Sequence, residues 1–490
     1  MKKSFDELTS SEKAAVLKRR KMFVTFAKVY PPALLISMLL TVFTIYMTGD
    51  FALSFSPHHA AATSGLFATN AVLFGIMFFG IYNYEEAGKF AGRHYLLSVV
   101  TLTITYIVSL ATTRFLNVYA LPLSLCALVL VELSNRRTSM ITTLVAACML
   151  IFAYGYGEQF IDVRITGLLI SVVCNFVAAI AINSLVNKHL TRLQFIIGAL
   201  MAALASVPLV IVCTLATGEV GIDLLFNPLW SYGSSAAAVF VFTPLVAIFE
   251  GIFNIADDFR LNELTNLNQP LLKRLASEAP GTFNHSLVVG NLAEACANAI
   301  GENPNLARAA AYYHDIGKLK SPVYFSENQS TYNPHDELIP EVSVSVITSH
   351  TVFGEILAKQ YRLPPEIVAV CKEHHGTSPV GYFYRKALNL TEEGDLSVRN
   401  FTYPGPKPQS KISAIIMIAD TVEAAMRAYT PESKEEYEAR VKSLIDEKLK
   451  LGQFDECPVT MKDLAVIRST IIETLPRVQH GRVSYDKKRL

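Results

Sequence analysis

Seven side chains in the C-terminal half carry donor atoms that divalent metals favour: His285, the adjacent pair His314-Asp315, His350, the adjacent pair His374-His375, and Asp420. The chain has 11 histidines, and six of them fall between positions 285 and 375. Imidazole and carboxylate together suit hard to borderline divalent metals and leave room for a bound water. Seven such groups are too many for one ion and about right for two. Two metals can clamp both the attacking and the leaving oxygen of a phosphoryl displacement. Hydrolysis at phosphorus is therefore the chemistry this set suits.

The elements that must position these groups read as helices. His285 lies in EAPGTFNHSLVVGNLAE, where Pro280-Gly281 leads into a helix expected to start near Thr282, with His285 in its first turn. His314 and Asp315 fall at the end of the Ala-rich stretch LARAAAYYHDIGKLKSP, which has strong helix propensity. Lys318 follows one turn on, so His314, Asp315 and Lys318 can reach one cavity. A carboxylate placed between two metals can bridge them, and a nearby lysine can neutralise a phosphate oxygen. His350 sits in VSVSVITSHTVFGEILAKQYRLP; His374-His375 end EIVAVCKEHHG, with Gly376 placed as a C-terminal cap. Asp420 lies in SAIIMIADTVEAAMRAY, on an otherwise apolar helix where a carboxylate is costly without a cation. Taken singly, each is an ordinary core histidine or capping group. Taken together, five helices would each have to supply one by chance.

The N-terminal half is different material. The 490 residues are 51% hydrophobic and 17% charged, with a mean hydropathy of +0.33, and nearly all the excess lies between about 29 and 252. Eight apolar runs approach the roughly 20 residues a spanning helix needs, near 29–48, 65–82, 95–113, 118–132, 139–154, 165–187, 194–215 and 233–252. The fourth and fifth are short. Lys and Arg alternate between the loops as the positive-inside rule requires. The basic N-terminal stretch (Lys2, Lys3, Lys13, Lys18, Arg19, Arg20, Lys21, Lys28), Lys89 with Arg93, Arg136-Arg137, and Lys188 with Arg192 fall on one side; the loops around 54–64, 158–164 and 216–232 are poor in them. Both termini are expected in the cytoplasm, and the first span is not expected to be a cleaved leader. Asn175 and Asn183, inside an apolar run, read as helix–helix hydrogen bonds. The net charge of +1 speaks against a nucleic-acid polymer as partner. The seven cysteines show no CxxC spacing, which speaks against a zinc ribbon or disulfide framework.

The order H…HD…H…HH…D resembles the HD-domain phosphohydrolase superfamily. The segments LNELTNLNQPLL, EAPGTFNHSLVVGNLAE, AAAYYHDIGKLKSPVYFSENQ, NPHDEL, HHGTSPVGYFYRKA, YPGPKPQSK, IADTVEAA and GQFDECPVTMKDL narrow the resemblance to the seven-transmembrane HD family of PgpH type. The resemblance implies hydrolysis of cyclic di-AMP to linear pApA at a site of two divalent ions, iron or manganese. It implies that His285, His314, Asp315 and Asp420 hold one ion, that His350, His374 and His375 hold the other, with Asp315 bridging, and that Asp315 and Lys318 serve catalysis, Lys318 by stabilising charge on the phosphoryl oxygens. His335 of NPHDEL is not a ligand in that pattern and reads as a loop histidine or, second to that, a substrate contact.

Two departures stand out. Family members commonly carry a large extracytoplasmic domain after the first span, where this chain has only the loop near 49–64. Ile412 stands where an acidic residue is expected. Two other readings remain: hydrolysis of cyclic di-GMP or a ppGpp-like nucleotide, or a receptor that binds nucleotide without turnover. HHGTSPVGYFY lacks the HHE…GYP pattern of cyclic di-GMP enzymes, and no ligand is missing, as a pure receptor would allow.

The expected protein is all-α: a cytoplasmic segment 1–28, a multi-span domain 29–252 of about eight helices (one plus seven), a connecting helix 253–280, and a cytoplasmic all-helical HD bundle 281–490. It is expected in the bacterial inner membrane, embedded in the lipid bilayer, with a cyclic dinucleotide as substrate; a homodimer is left open.

Overall fold

The fold was obtained as a computed structural model, which describes residues 10–48, 57–84, 91–156, 165–185, 192–218, 221–255, 257–329, 331–390, 396–429 and 433–478. Every element of secondary structure among them is helical apart from one isolated bridge, Pro379 to Thr402. The chain divides into two units, Met1–Ile255 and Ala256–Leu490.

Among the described residues the first unit holds nine helices: α1 Ser10–Thr48, α2 Pro57–Tyr84, α3 Ala91–Phe115, α4 Leu123–Leu133, α5 Arg136–Tyr156, α6 Ile165–Leu185, α7 Arg192–Ala203, α8 Ser206–Ala216 and α9 Asp223–Phe253. Among the described residues, seven stretches are long and apolar enough to cross a membrane, the α7–α8 pair counting as one, Leu193–Ala216. The expected span near 118–132 is not one of them. Its helix, α4, has 11 residues, a rise of about 16 Å against a hydrocarbon core of about 30 Å. All 11 are buried, so α4 is shielded by neighbouring helices instead of spanning on its own. The non-helical stretch before it has its backbone polar groups met by side chains, as a dry interior demands: Asn117 Oδ1 accepts from Tyr119 N at 2.9 Å, and Asn175 Nδ2 donates to Tyr119 O at 3.3 Å. Asn175 also accepts from Ser231 Oγ of α9 at 3.2 Å, the expected helix–helix bond. Asn183 is buried, but its Oδ1 has no hydrogen-bond partner among the described residues. Of the basic and acidic loop residues behind the charge alternation, Lys89, Glu158, Asp162, Arg164 and Lys188 lie outside the described residues.

The second unit continues with α10 Asp258–Leu264, α11 Pro270–Glu278, α12 Pro280–Ile300, α13 Pro304–Tyr313, α14 Pro340–Gln360, α15 Pro365–Glu373, α16 Gly381–Leu390, α17 Lys411–Ala428, α18 Lys434–Lys450 and α19 Met461–Val478. The connecting stretch 253–280, whose leucine periodicity breaks at Pro270, consists of two short helices, because Pro270 lacks the N–H a continuing helix needs and serves as the first residue of α11. Its leucines 261, 271, 272 and 275 are buried in the core of this unit. Around α12, which packs on α13, α17 and α19, that core gathers Leu292, Ala310, Ile415, Val422 and Ile467. Ile412 belongs to the same core.

Candidate metal centre

Pro280 opens α12 two residues earlier than expected, which puts His285 in its second turn, 3% exposed. The start of α12 lies hard against the short 3-10 helix Ser326–Asn328: a Cβ on Gly281 would stand 1.9 Å from Glu327 O. Only glycine permits this approach, and it lets Thr282 N donate to Asn328 Oδ1 at 3.1 Å and Thr282 Oγ1 to Glu327 Oε1 at 3.0 Å. His314 caps α13 at its C-terminus, and Asp315 leads into the 3-10 helix Ile316–Lys320. Gly317 in that turn allows the second close approach, since a Cβ there would meet His350 O at 1.9 Å. The α13 end and the His350 turn of α14 are thereby pressed together. His374 caps α15, and Gly376 follows with φ +54°, the left-handed cap expected of it. Asp420 projects from mid-α17.

Three of the imidazoles are fixed in the same way. His314 Nδ1 lies 2.7 Å from Ala311 O, His350 Nδ1 2.6 Å from Ile347 O, and His374 Nδ1 3.0 Å from Val370 O. Each ring can donate Nδ1–H to a carbonyl about one turn back, which leaves the Nε2 lone pair aimed into the cluster. Metal-ligating histidines are held in this manner. His285 Nδ1 is held by a short contact to Glu423 Oε2.

The inward atoms converge. Asp315 Oδ1 lies 3.3 Å from His350 Nε2 and 3.5 Å from His374 Nε2; its Oδ2 lies 3.2 Å from His314 Nε2 and 3.7 Å from His285 Nε2. Asp420 Oδ1 is 3.1 Å from His285 Nε2, and Oδ2 is 3.6 Å from His375 Nδ1. Two groups of donor atoms result, each within 4.8 Å of one another: Asp315 with His350, His374 and His375, and His285 with His314 and Asp420. All seven sequence-predicted residues are thus brought together, with the two oxygens of Asp315 facing different groups.

The residues fit divalent cations on an observation independent of that spacing. His314 Nε2 and Asp315 Oδ1 are buried without a hydrogen bond, and His350 Nε2 stands 3.1 Å from His374 Nε2. With both Nδ1 atoms committed as donors, two lone pairs face each other there, and only a shared proton or a cation relieves that.

Electrostatics agree. Burial alone would raise the Asp315 carboxyl, but His314 and Lys318 outweigh it and hold it well below the usual carboxylate range. Asp420 is likewise held low against burial, by His285 and His375. Burial pushes His374 down to about 4 and His375 well below its usual value, so both are neutral and free to ligate. Burial would lower His285 too, but Asp420 and Glu423 raise it to about 9. A pocket acidic enough to keep a proton on a buried imidazole is one that favours a cation.

Lys318, expected to reach the same cavity and neutralise a phosphate oxygen, is buried beside the donor groups. Its Nζ lies 2.7 Å from Asp315 Oδ2 and 2.7 Å from Glu327 Oε1, so two carboxylates hold it. His335 lies in neither donor group. Its ring packs on Phe383 at 4.9 Å, and its Nε2 is 2.8 Å from Tyr324 O, as befits a loop histidine. Three neighbours of the centre were missed. Glu423 sits one turn after Asp420 on the same face of α17, a spacing that could have revealed it. Glu327 and Tyr403, whose ring stacks on His375 at 4.2 Å, carry no spacing signal at all.

Residues 282–425 match the HD domain family model. The chain is 36% identical over 413 residues to the "Cyclic-di-AMP phosphodiesterase PgpH" of Bacillus subtilis (strain 168), covering 81% of this chain and 56% of that protein. It is 43% identical over 242 residues to the protein of that name from Listeria monocytogenes, covering 49% of this chain and 33% of that one. It thus spans little more than half the length of the first of these relatives and a third of the second. A crystal structure of the L. monocytogenes PgpH HD domain in complex with cyclic-di-AMP is 44% identical, covering 44% of this chain and 100% of that one, with a TM-score of 0.42. The matched segment contains all seven donor residues, so the chain carries an HD-domain segment and is similar to the PgpH phosphodiesterases over the stretches given.

Proposed function

We propose that the chain is a metal-dependent phosphodiesterase that opens cyclic di-AMP to linear pApA, with the HD unit on the cytoplasmic face of the bacterial membrane. The observation that carries the reading is the convergence of seven donor side chains from separate helices on two groups that share Asp315. The relatives named for this activity support the substrate, and the alternation of Lys and Arg between the loops supports the orientation.

His285, His314 and Asp420 would hold one ion; His350, His374 and His375 would hold the other; Asp315 would serve both. The all-nitrogen-and-oxygen donor set suits iron or manganese. When bound, two such ions supply a nucleophile from water at neutral pH and clamp the oxygens of the displacement. The protein's own part is positioning. Carbonyl-anchored imidazoles keep three Nε2 atoms aimed inward. Glu423 orients His285. Lys318, whose charge Asp315 and Glu327 maintain against burial, places a fixed positive group where negative charge builds on the phosphoryl oxygens.

The test is turnover by the full chain, purified in detergent with manganese, on cyclic di-AMP and cyclic di-GMP side by side. Conversion of cyclic di-AMP at the higher kcat/KM is expected. Preference for cyclic di-GMP, or no hydrolysis of either, would reject the reading. Asp315→Ala should abolish turnover while leaving thermal unfolding cooperative; full activity in that variant would break the ligand assignment.

A further inference from the structure

Lys448 is the observation the reading above does not use. It lies in the last turn of α18, outside the segment that matches the HD domain. Its Nζ donates to Ser378 Oγ at 3.0 Å. Ser378 is itself tied to the candidate centre: its N–H donates to His375 O at 3.1 Å, and its carbonyl accepts from Tyr403 N at 3.0 Å. Lys448 thus hangs over the turn that carries His375 and the tyrosine stacked on it. Asp420 is close enough for its charge to act on the ammonium.

Among the described residues Lys448, beside the candidate centre, has no counter-ion close by, a feature it shares with the half-buried Lys386, which donates to His335 O at 3.4 Å, away from the donor groups. Lys318, Lys407 and Lys411, sheltered to a comparable degree, each have a carboxylate within ion-pair distance. Lys448 is half-buried and, among the described residues, has none within that distance; its Nζ donates to a neutral hydroxyl. A sheltered, unpaired ammonium loses solvation without a compensating charge, and burial accordingly pulls its pKa down. Such a group is costly to keep unless an anion arrives to meet it.

A cyclic dinucleotide brings such an anion. It carries two phosphodiesters in one ring, and only one of them can occupy the metal centre at a time. The second needs a cation some distance away, on another side of the cleft. Lys318 cannot serve, since Asp315 and Glu327 already hold it on the Asp315 side. Lys448 stands on the other flank, beyond His375 and Asp420.

Resting on the cyclic dinucleotide reading, we propose that Lys448 and Ser378 form a second phosphate subsite that binds the non-scissile phosphodiester of the substrate. The recognition is charge-assisted: the ammonium and the hydroxyl donate to the phosphate oxygens. This makes Lys448 a substrate-binding residue that selects two-phosphate rings over single diesters.

The test uses the full chain in detergent with manganese, comparing the wild type with Lys448→Gln and Lys448→Arg. Two substrates are followed: cyclic di-AMP, with two phosphates, and bis(p-nitrophenyl) phosphate, with one. Loss of one charge-assisted contact should raise the KM of Lys448→Gln for cyclic di-AMP about tenfold. Its kcat should stay within about threefold, and its kcat/KM for the single diester should not change. Lys448→Arg should restore most of the KM. An unchanged KM in Lys448→Gln overturns the subsite, as does an equal loss on both substrates, which a packing role would give, or an arginine variant as impaired as the glutamine one. A wild type that cleaves the single diester but not cyclic di-AMP overturns the substrate reading, and the subsite with it.

Discussion

The two units bury polar groups by opposite rules. In the first, the buried polar side chains are almost all neutral: serines, threonines and asparagines, with Glu132 the single charged one among the described residues. Many bond within their own helix, as Thr41 does to Ser37 O, Thr44 to Leu40 O and Thr113 to Ser109 O. Others meet across helices in pairs, such as Thr44 with Tyr106 at 2.7 Å and Thr113 with Tyr154 at 2.8 Å. In the second unit the buried set is dominated by ionisable groups packed within ion-pair distance of one another: His285, His314, Asp315, Lys318, His350, His374, Asp420 and Glu423. A hydrocarbon solvent cannot stabilise concentrated charge, so there the bonded polar groups are met one at a time, within a helix or across a pair of helices. A cluster of charge inside the second helical bundle can persist where a cation completes it. The contrast separates polar groups that hold helices together from polar groups kept for chemistry.

The largest expected effect that would test the contrast is removal of a ligand. His350→Ala should lower turnover by roughly 10³-fold or more, comparable to losing a charge-stabilising group at the reacting centre, and reduce bound metal by elemental analysis. Metal content at the wild-type level would remove His350 from the ligand set. Next comes Glu423→Gln, which weakens the group orienting His285. Loss of such an outer partner typically costs about 10–100-fold in metal affinity or activity, so activity should fall and be regained at high manganese. An effect that excess metal leaves untouched would mean that Glu423 acts otherwise. Gly317→Ala forces a Cβ against His350 O, 1.9 Å away, and backbone must shift. A destabilisation of about 1–3 kcal/mol is expected in thermal unfolding, accompanied by lower metal affinity because the His350 turn moves. The smallest effect belongs to the first unit: Asn175→Ala should cost only about 0.6 kcal/mol, the usual worth of an intramembrane side-chain bond, with metal content unchanged. Loss of metal in that variant would erase the distinction between the two units.

Much of the candidate site was legible as sequence because metal ligation needs particular side chains, and few other demands concentrate histidines and aspartates on otherwise apolar helices. Asp420 is the clearest instance, an acid amid Ile415, Ile416, Met417, Ile418 and Val422. The spans were legible where the apolar run was long, as in α3 or α9. The stretch 118–132 misled, since burial inside a helix bundle and burial in lipid demand the same apolar composition. The break at Pro270 within the connecting stretch 253–280 was legible in the leucine periodicity, and Pro270 opens a separate helix there. Glu327 escaped notice because SEN is ordinary loop chemistry; only its contacts to Thr282 and Lys318 give it a role. Lys318 was expected to face substrate, and spacing alone could not show that two carboxylates already hold it.

By itself the sequence determined which donor atoms the protein owns, that they ride on helices, and that a long apolar half precedes them, since composition and periodicity express these directly. The tertiary structure alone decided that Asp315 turns one oxygen to each group, that three imidazoles spend Nδ1 on carbonyls and so present Nε2, and that, among the described residues, Lys448 has no carboxylate within ion-pair distance. Those facts depend on distances between helices dozens of residues apart, and a side chain's protonation and partners follow from what packs against it, which no local pattern encodes.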